Sequence, residues 1–175
     1  MRKLTTSELN RPSTDDFKKV SKLPVTVVLD NVRSAYNVGS VFRTCDAFAI
    51  EKIFLSGITA TPPNRDLMKT ALGSTESIPW KYFSSSDEAI MQLKDGGYEI
   101  ILIEQTDQSI SLEKFLPQKN KKYALIFGNE VEGISEQLLS LADAAIEIPQ
   151  FGTKHSFNIS VSAGIVLWDF FLKMK

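Results

Sequence analysis

Three polar segments carry most of the side chains in this sequence that are suited to binding or catalysis. They read DNVRSAYNVGS after Leu29, NEVEGIS after Gly128 and QFGTKHSFNIS after Pro149. Their amides, hydroxyls and carboxylates can orient a polar ligand by hydrogen bonds. Arg43 lies just beyond the first segment, and a fixed guanidinium can hold a phosphate through two hydrogen bonds or stabilise a developing oxyanion. We therefore expect a functional site where these segments meet.

The elements around these segments follow an α/β pattern. Short apolar runs such as VTVVL, IILI and ALIF alternate with amphipathic stretches, and the runs are continuous instead of alternating. Continuous, β-branched runs are typical of strands buried on both faces of a mostly parallel sheet, which predicts helices on both sides. Ser85 followed by Glu88 predicts a capped helix over residues 85–95, ended by Gly96 and Gly97.

The three polar segments all follow predicted strands. In open α/β sheets, ligands bind outside the carboxyl ends of the strands. After Tyr36 the spacing of Val38, Val41, Phe42 and Cys45 predicts a helix packed on the sheet. We expect Asn37 to cap this helix, and the first backbone amides of the helix to bind a phosphate. The alternative is that Asn37 is a helix cap and nothing more. The alternative for Arg43 is a surface ion pair with Asp46 or Glu51.

Composition restricts the class of protein. At 175 residues, with 43% apolar and 23% charged residues, we expect one domain of ordinary globular type over residues 1–175. No apolar run resembles a signal peptide or a membrane span, which predicts a soluble, cytoplasmic protein. One cysteine and one histidine argue against a disulfide or a metal site.

The charge distribution is ambiguous. The net charge of −1 is unremarkable and does not by itself favour a nucleic-acid partner. Basic residues nevertheless cluster in residues 1–24, a short basic N-terminal extension, and in residues 111–122. Either cluster is equally compatible with an ordinary solvated surface.

The three segments together resemble the motifs of the SpoU (TrmH-type) branch of the SPOUT RNA methyltransferases. The resemblance covers residues 25–168 and preserves the order and spacing of the motifs. Residue 157 is usually leucine in that family, and phenylalanine here keeps the position apolar. The matching residues are Asn37, Gly39, Ser40, Arg43 and Thr44; Phe127, Gly128, Asn129, Glu130 and Gly133; and Ile148, Pro149, Gly152, Ser156, Phe157, Asn158, Ile159 and Ser160.

The resemblance implies a fold, an activity and a cofactor. The fold is the SPOUT fold, in which a C-terminal trefoil knot binds the cofactor largely through backbone groups. The activity is methyl transfer from S-adenosylmethionine to a ribose 2′-hydroxyl of RNA, and it needs no metal. By resemblance the cofactor contacts are Gly128, Ile148 and Phe157, with Gln105 and Asn129. The catalytic group is Arg43, Asn37, Glu130, Ser156 and Asn158.

Each of these roles has a structural alternative. Ser156 or Asn158 would cap the last helix, Glu130 would brace its loop, and Ile148 and Phe157 would be core residues. The family proposes the arginine at position 43 as the base that deprotonates the hydroxyl. Because a guanidinium has a pKa above about 12, electrostatic stabilisation is the role that physical chemistry favours. Gly128 is expected to leave room for the adenine.

The last segment, residues 159–175, is predicted to be a helix that is apolar nearly all round. Such a helix needs cover on more than one side, and the family pairs this region in a homodimer whose active site borrows residues across the interface. Residues 61–80, with Asn64 and Arg65, are expected to form an ordered loop. That loop would be structural or would touch RNA.

Other functions fit the sequence less well. The first strand is not followed by a dinucleotide-binding glycine motif, and a serine hydrolase would need His155 to act beside Ser156. A non-catalytic RNA-binding module with the same fold is the main competing hypothesis. The RNA itself is expected to be tRNA, with ribosomal RNA as the alternative.

Overall fold

The strands form one parallel sheet. We analysed a computed structural model that describes residues 1–5 and 7–175. All six strand pairings in the described residues are parallel, and the order is β3-β2-β1-β6-β4-β7-β5. The strands are β1 (Leu23–Asp30), β2 (Ile50–Ser56), β3 (Trp80–Phe83), β4 (Tyr98–Ile103), β5 (Ile110–Ser111), β6 (Lys122–Phe127) and β7 (Ala144–Glu147).

Helices cover both faces of this sheet, as predicted. One core joins the sheet to α2, α3 and α7, and a second core joins it to α5 and α6. The predicted α/β class is therefore confirmed. The helices are α1 (Thr14–Lys19), α2 (Ala35–Ala47), α3 (Arg65–Ala71), α4 (Ser74–Ser77), α5 (Ser86–Asp95), α6 (Glu136–Leu139) and α7 (Ile159–Met174), and a 3-10 turn covers Ser7–Leu9.

The central strands are buried on both faces. Residues 25–30 of β1 and 123–127 of β6 are all buried. Because both faces are covered by helices, both sets of alternating side chains pack in apolar surroundings. This explains why the sequence shows continuous apolar runs here instead of an alternating pattern.

The predicted helix ends are confirmed where they depend on local chemistry. The Ser85 hydroxyl accepts a hydrogen bond from the Glu88 amide at the start of α5, and Gly97 beyond its end has a φ of +76°. The last helix begins at Ile159 and ends at Met174, close to the predicted range.

The prediction of a loop over residues 61–80 is wrong for most of its length. This stretch contains α3 and α4 and ends on the first residue of the edge strand β3. The Asn64 side chain caps α3 by accepting hydrogen bonds from the amides of Asp66 and Leu67. The sequence pattern also missed α1 and β5. All of these elements are short, with only two to seven residues each, so their periodicity is hard to recognise.

The order of the strands determines which loops meet. Strand β6 lies between β1 and β4, and β7 lies between β4 and β5. The segments that follow β1, β4, β6 and β7 therefore emerge side by side at one edge of the sheet. In the described part of the chain, no helix is both long and apolar enough to cross a membrane.

Candidate functional site

A cavity of about 450 Å³ opens beyond the carboxyl ends of β4, β6 and β7. Its walls come from residues 103–106, the loop 127–134 and the chain between Ile146 and Ser162. The five residues predicted to contact a cofactor all line it, and so do Glu130 and Ser156 from the predicted catalytic group. Those five are Gln105, Gly128, Asn129, Ile148 and Phe157.

Three of the predicted catalytic side chains form a hydrogen-bonded chain beside this cavity. The Asn37 amide nitrogen donates to Glu130 Oε1 over 3.1 Å, and the Asn158 amide nitrogen donates to Asn37 Oδ1 over 3.2 Å. These residues lie 93 and 121 positions apart along the chain. The fold therefore brings all three predicted motifs into direct contact.

The cap of α2 is Ser34, so the prediction that Asn37 caps this helix is wrong. The Ser34 hydroxyl accepts a hydrogen bond from the Asn37 backbone amide over 3.3 Å. Helix α2 begins two residues before Asn37, which places Asn37 inside the first turn. Its side chain is therefore free to bond Glu130 and Asn158.

Glu130 occupies the position at the start of α2 that was expected to accept a phosphate. Its carboxylate accepts hydrogen bonds from the backbone amides of Arg33 over 3.0 Å and Ser34 over 3.2 Å. A carboxylate is favourable at a helix N-terminus for the same electrostatic reason as a phosphate. An RNA phosphate at this place would meet a like charge, so the structure does not favour phosphate binding there.

The same contacts set the ionisation of Glu130. Burial alone would raise the pKa of its carboxyl, but the hydrogen bonds donated by the Arg33 amide and the Asn37 side chain outweigh burial. The pKa of Glu130 is therefore lowered from its ordinary value, and the side chain is a carboxylate at neutral pH. The structural alternative for Glu130 was that it braces its own loop. Its bonds to the amides of Arg33 and Ser34 also have that effect.

Asn158 both caps α7 and bonds to Asn37, two roles that were expected to be alternatives. Its Oδ1 accepts hydrogen bonds from the Ser160 amide and the Ser160 hydroxyl at the start of α7. Its Nδ2 remains available for Asn37. Ser156, the other proposed cap, lies two residues earlier on the wall of the cavity.

Arg43 is not part of the hydrogen-bonded group formed by Asn37, Glu130 and Asn158. It lies on the exposed side of α2, and within residues 1–5 and 7–175 its guanidinium makes no hydrogen bond or ion pair. The alternative ion pairs with Asp46 and Glu51 are absent from the described residues, in which Asp46 accepts a hydrogen bond from Ser77 and Glu51 accepts one from Tyr98. Its guanidinium is therefore free to bind a ligand.

Gly128 is required for a reason that the sequence did not reveal. A Cβ added at this position would lie 2.3 Å from the Gly133 carbonyl carbon and 2.4 Å from the Ile134 nitrogen. The missing side chain leaves room for the returning backbone of its own loop, and not primarily for a ligand. Gly133, with a φ of +72°, completes this tight loop.

Asn129 contributes mainly to the shape of the loop. Its Oδ1 accepts hydrogen bonds from the amides of Val131 and Glu132, and its Nδ2 donates to the Asn31 carbonyl over 2.8 Å. Its backbone amide and carbonyl pair with Gly133. These bonds leave one N–H of the Asn129 side chain without a partner in the described residues, since a carboxamide nitrogen carries two donors.

Sequence reasoning missed Glu104, which joins two walls of the cavity. One of its carboxylate oxygens accepts a hydrogen bond from the Gln105 amide over 3.0 Å, and the other accepts one from the Ile134 amide over 3.1 Å. The position directly after β4 was the available signal, since ligands bind at strand carboxyl ends.

The charge of the cavity is negative. Glu104, Glu130, Glu132 and Glu147 line it, whereas no lysine or arginine is among the described residues that do so. Such a lining is suited to a ligand with positive charge. In the described residues, no cluster of three or more His, Cys, Asp or Glu side chains could hold a metal ion.

Comparison with known proteins identifies the family. Residues 24–168 match the SpoU rRNA Methylase family. The chain belongs to this family. The resemblance noted in the three sequence motifs is therefore confirmed.

Relatives of this SpoU family chain include enzymes named for two kinds of RNA. The chain is 29% identical over 153 residues to the 23S rRNA (guanosine-2′-O-)-methyltransferase RlmB of Neisseria meningitidis, covering 87% of this chain and 60% of that protein. It is 29% identical over 163 residues to the tRNA (guanosine(18)-2′-O)-methyltransferase of Thermus thermophilus, covering 93% and 82% respectively.

A solved structure shares the fold. The rRNA methyltransferase of Sinorhizobium meliloti with bound AdoMet (S-adenosylmethionine) aligns with a TM-score of 0.78 and 26% identity, over 88% of this chain and 59% of that one. The chain therefore spans about 60% of the Neisseria and Sinorhizobium proteins.

Proposed function

We propose that this protein transfers a methyl group from S-adenosylmethionine to a ribose 2′-hydroxyl of RNA. The observation that carries this proposal is the cavity beyond β4, β6 and β7. It is lined by all five residues predicted to contact the cofactor and adjoins the chain of Asn37, Glu130 and Asn158. Membership of the SpoU family and the methyltransferase names of its relatives support the same activity.

The cavity suits the proposed cofactor in size and charge. A volume of about 450 Å³ lies within the range of small-molecule and cofactor sites. Its four carboxylates complement a sulfonium cation, and Ile148 and Phe157 provide apolar walls for an adenosyl group. When bound, S-adenosylmethionine supplies an electrophilic methyl group that already carries its own leaving group.

The protein has to position the hydroxyl and stabilise charge on its oxygen. Asn37 bonds to both Glu130 and Asn158, so the two amide side chains are preorganised to orient the ribose. Arg43 holds the phosphate of the target nucleotide and stabilises the negative charge that develops on the 2′-oxygen as its proton passes to solvent water. This role needs no deprotonated guanidinium.

We infer that the active site is completed in a homodimer. The exposed side of α7 presents an apolar stripe formed by Val161, Ile165, Trp168 and Leu172, whose exposed fractions are 48%, 36%, 49% and 56%. Positions separated by three or four residues lie on one helix face, and water-exposed apolar stripes of this kind favour association. In the dimer, Arg43 of one subunit serves the cavity of the other. This accounts for the absence of a hydrogen-bond or ion-pair partner for its guanidinium among the described residues.

The chain is also proposed to be knotted, an exception to the usual rule for folds. Support comes from β6 and β7, which enter between strands formed earlier in the chain, and from α7, which then returns to pack against α2. Joining the termini by a flexible linker before denaturation would trap a knot. The denatured ring should then have a smaller radius of gyration than an unknotted ring of the same number of residues, and a radius equal to that of the unknotted ring would exclude the knot.

For the substrate, we propose tRNA, with ribosomal RNA as the alternative. Relatives named for both substrates align with this chain. The protein acts as a single methyltransferase domain in the cytoplasm, and the basic residues of positions 1–24 contribute to RNA binding.

Calorimetry and a methylation assay test the activity. The protein should bind S-adenosylmethionine and move its labelled methyl group onto unmodified tRNA. The methylated position should resist alkaline cleavage, because a 2′-O-methyl group removes the attacking hydroxyl. Labelling of ribosomal RNA alone would select the alternative substrate. A protein that binds RNA but not S-adenosylmethionine would be the non-catalytic module.

Arg43 provides a sharper test. Arg43→Ala should reduce methyl transfer by at least about a hundredfold, as expected for the loss of a group that stabilises transition-state charge. The melting temperature should stay close to that of the wild type, because in residues 1–5 and 7–175 the Arg43 guanidinium makes no hydrogen bond or ion pair. Arg43→Lys keeps the charge but not the two-point geometry, and should recover only part of the rate. Near-normal transfer by Arg43→Ala would overturn the assignment.

A further inference from the structure

A buried carboxylate outside the predicted catalytic group bonds to the end of the loop that walls the cavity. Asp30 is the last residue of β1, and only 1% of it is exposed. In the described residues no lysine or arginine forms an ion pair with it. A buried carboxylate without a cation must be stabilised by hydrogen-bond donors. The identity of those donors indicates what Asp30 does.

The donors to Asp30 come from two different sides. The Ser86 hydroxyl donates to Oδ1 over 2.5 Å and the Asn31 side chain donates to it over 2.8 Å. The Ser135 hydroxyl donates to Oδ2 over 2.8 Å and the Ser135 amide over 3.3 Å. One oxygen therefore faces the start of α5, and the other faces the end of the loop that walls the cavity.

The other end of that loop is attached to the same place. Asn129 donates through its side chain to the carbonyl of Asn31, the neighbour of Asp30. Between Asn129 and Ser135 the loop turns at Gly133 and passes close to Gly128. Both ends of the turn thus depend on residues 30 and 31, while the turn itself lines the cavity.

We propose that Asp30 is a positioning residue that holds the loop 128–135 in the conformation that binds the cofactor. The inference rests on the proposed function for the identity of the ligand, S-adenosylmethionine. Asp30 touches neither the cavity nor the reacting groups. It acts through Ser135, whose amide and hydroxyl both bond to the same carboxylate oxygen.

Two serine variants separate positioning from general stability. Ser135→Ala removes a hydroxyl bond on the loop side of Asp30, and Ser86→Ala removes one on the α5 side. The Ser135 hydroxyl makes one hydrogen bond, whereas that of Ser86 also bonds to the Ser56 hydroxyl over 2.6 Å. Ser86→Ala should therefore lower stability at least as much as Ser135→Ala. Only Ser135→Ala should weaken binding of S-adenosylmethionine, by about fivefold, as expected for one lost hydrogen bond. Ser86→Ala should bind as the wild type does.

Hydrogen exchange of the ligand-free protein gives a readout that does not depend on the cofactor. Amides of residues 128–135 should exchange faster in Ser135→Ala than in Ser86→Ala at matched stability. Asp30→Asn should have the stronger effect, because an amide cannot accept hydrogen bonds on both sides. If Asp30→Asn does not fold, the serine pair still decides the question.

The outcomes are distinct. Equal exchange and equal cofactor affinity in the two serine variants would mean that Asp30 only stabilises the fold. Faster exchange in Ser135→Ala, with no binding of S-adenosylmethionine by the wild type, would support loop positioning and reject the proposed function. Faster exchange together with weaker binding supports both.

Discussion

The side chain of Asn158 bonds to that of Asn37 over 3.2 Å, so the cap of the last helix is tied to the first turn of α2. The same Asn158 side chain accepts hydrogen bonds from Ser160 at the start of α7. One residue thus ends the segment that walls the cavity and joins it to the predicted catalytic group. Stability and activity should depend on Asn158 in separable ways.

Asn158→Ala should lower both stability and activity. Loss of the cap costs about 1 kcal/mol, which lowers the melting temperature by roughly 2–4 °C in a chain of this size. Methyl transfer should fall by at least about tenfold, because Asn37 loses the partner that orients it. Calorimetric melting and an RNA methylation assay measure the two effects.

Ser85→Ala is the matched control for Asn158→Ala. It removes the cap of α5, on the other face of the sheet, and should cost a similar amount of stability. Methyl transfer should remain close to that of the wild type. Equal losses of activity in the two variants would show that Asn158 acts only through stability.

Glu130 should make folding sensitive to acid. Because its pKa is lowered in the folded protein, its contribution to stability is complete above its unfolded value of about 4.3. That contribution is lost as the pH falls through the lower folded pKa. Glu130→Gln should therefore be less stable than the wild type at neutral pH, and its stability should fall less steeply below about pH 4.3.

Urea unfolding at several pH values measures this difference. The two stability curves should converge toward low pH, where the wild-type carboxylate is protonated. Curves that stay parallel from neutral to acidic pH would mean that Glu130 is not stabilised as a carboxylate. Glu113→Gln is a suitable control, because Glu113 is exposed on the surface and makes no hydrogen bond through its side chain in the described residues.

Gly128→Ala should disrupt the wall of the cavity. Its Cβ would lie within 2.5 Å of the Gly133 backbone, so the loop must shift. Such overpacking costs about 1–3 kcal/mol, and affinity for S-adenosylmethionine should fall with it. Gly152→Ala is the control, since a Cβ there meets nothing within 4 Å. Chemical denaturation of both variants checks the contrast, and equal stabilities would contradict the close packing at Gly128.

Ile165→Glu should prevent dimer formation. A carboxylate in the apolar stripe of α7 would be buried without a partner at the proposed interface, which is strongly unfavourable. Light scattering at micromolar concentration should give a dimer for the wild type and a monomer for this variant. Met91→Glu is the control and should leave the dimer intact, because Met91 is 50% exposed on α5, on the other face of the sheet. A monomeric wild type would reject the interface.

Local chemistry in the sequence determined the elements that position the site. Continuous apolar runs predicted β1, β4 and β6, because burial on both faces favours apolar residues at successive positions of a strand. The Ser85 cap and the left-handed Gly97 were predictable because capping depends on residues within one helical turn. The order of the three motifs was also sufficient to indicate the family and the five predicted cofactor contacts, all of which line the cavity.

The tertiary structure decided what depends on residues far apart in the chain. Inserting β6 between β1 and β4 brings Glu130 to the start of α2, where it occupies the expected phosphate position. The same insertion brings Ser135 to the buried carboxylate of Asp30. Propensity and spacing describe interactions within a few residues. They carry no information on which loops the strand order will bring together.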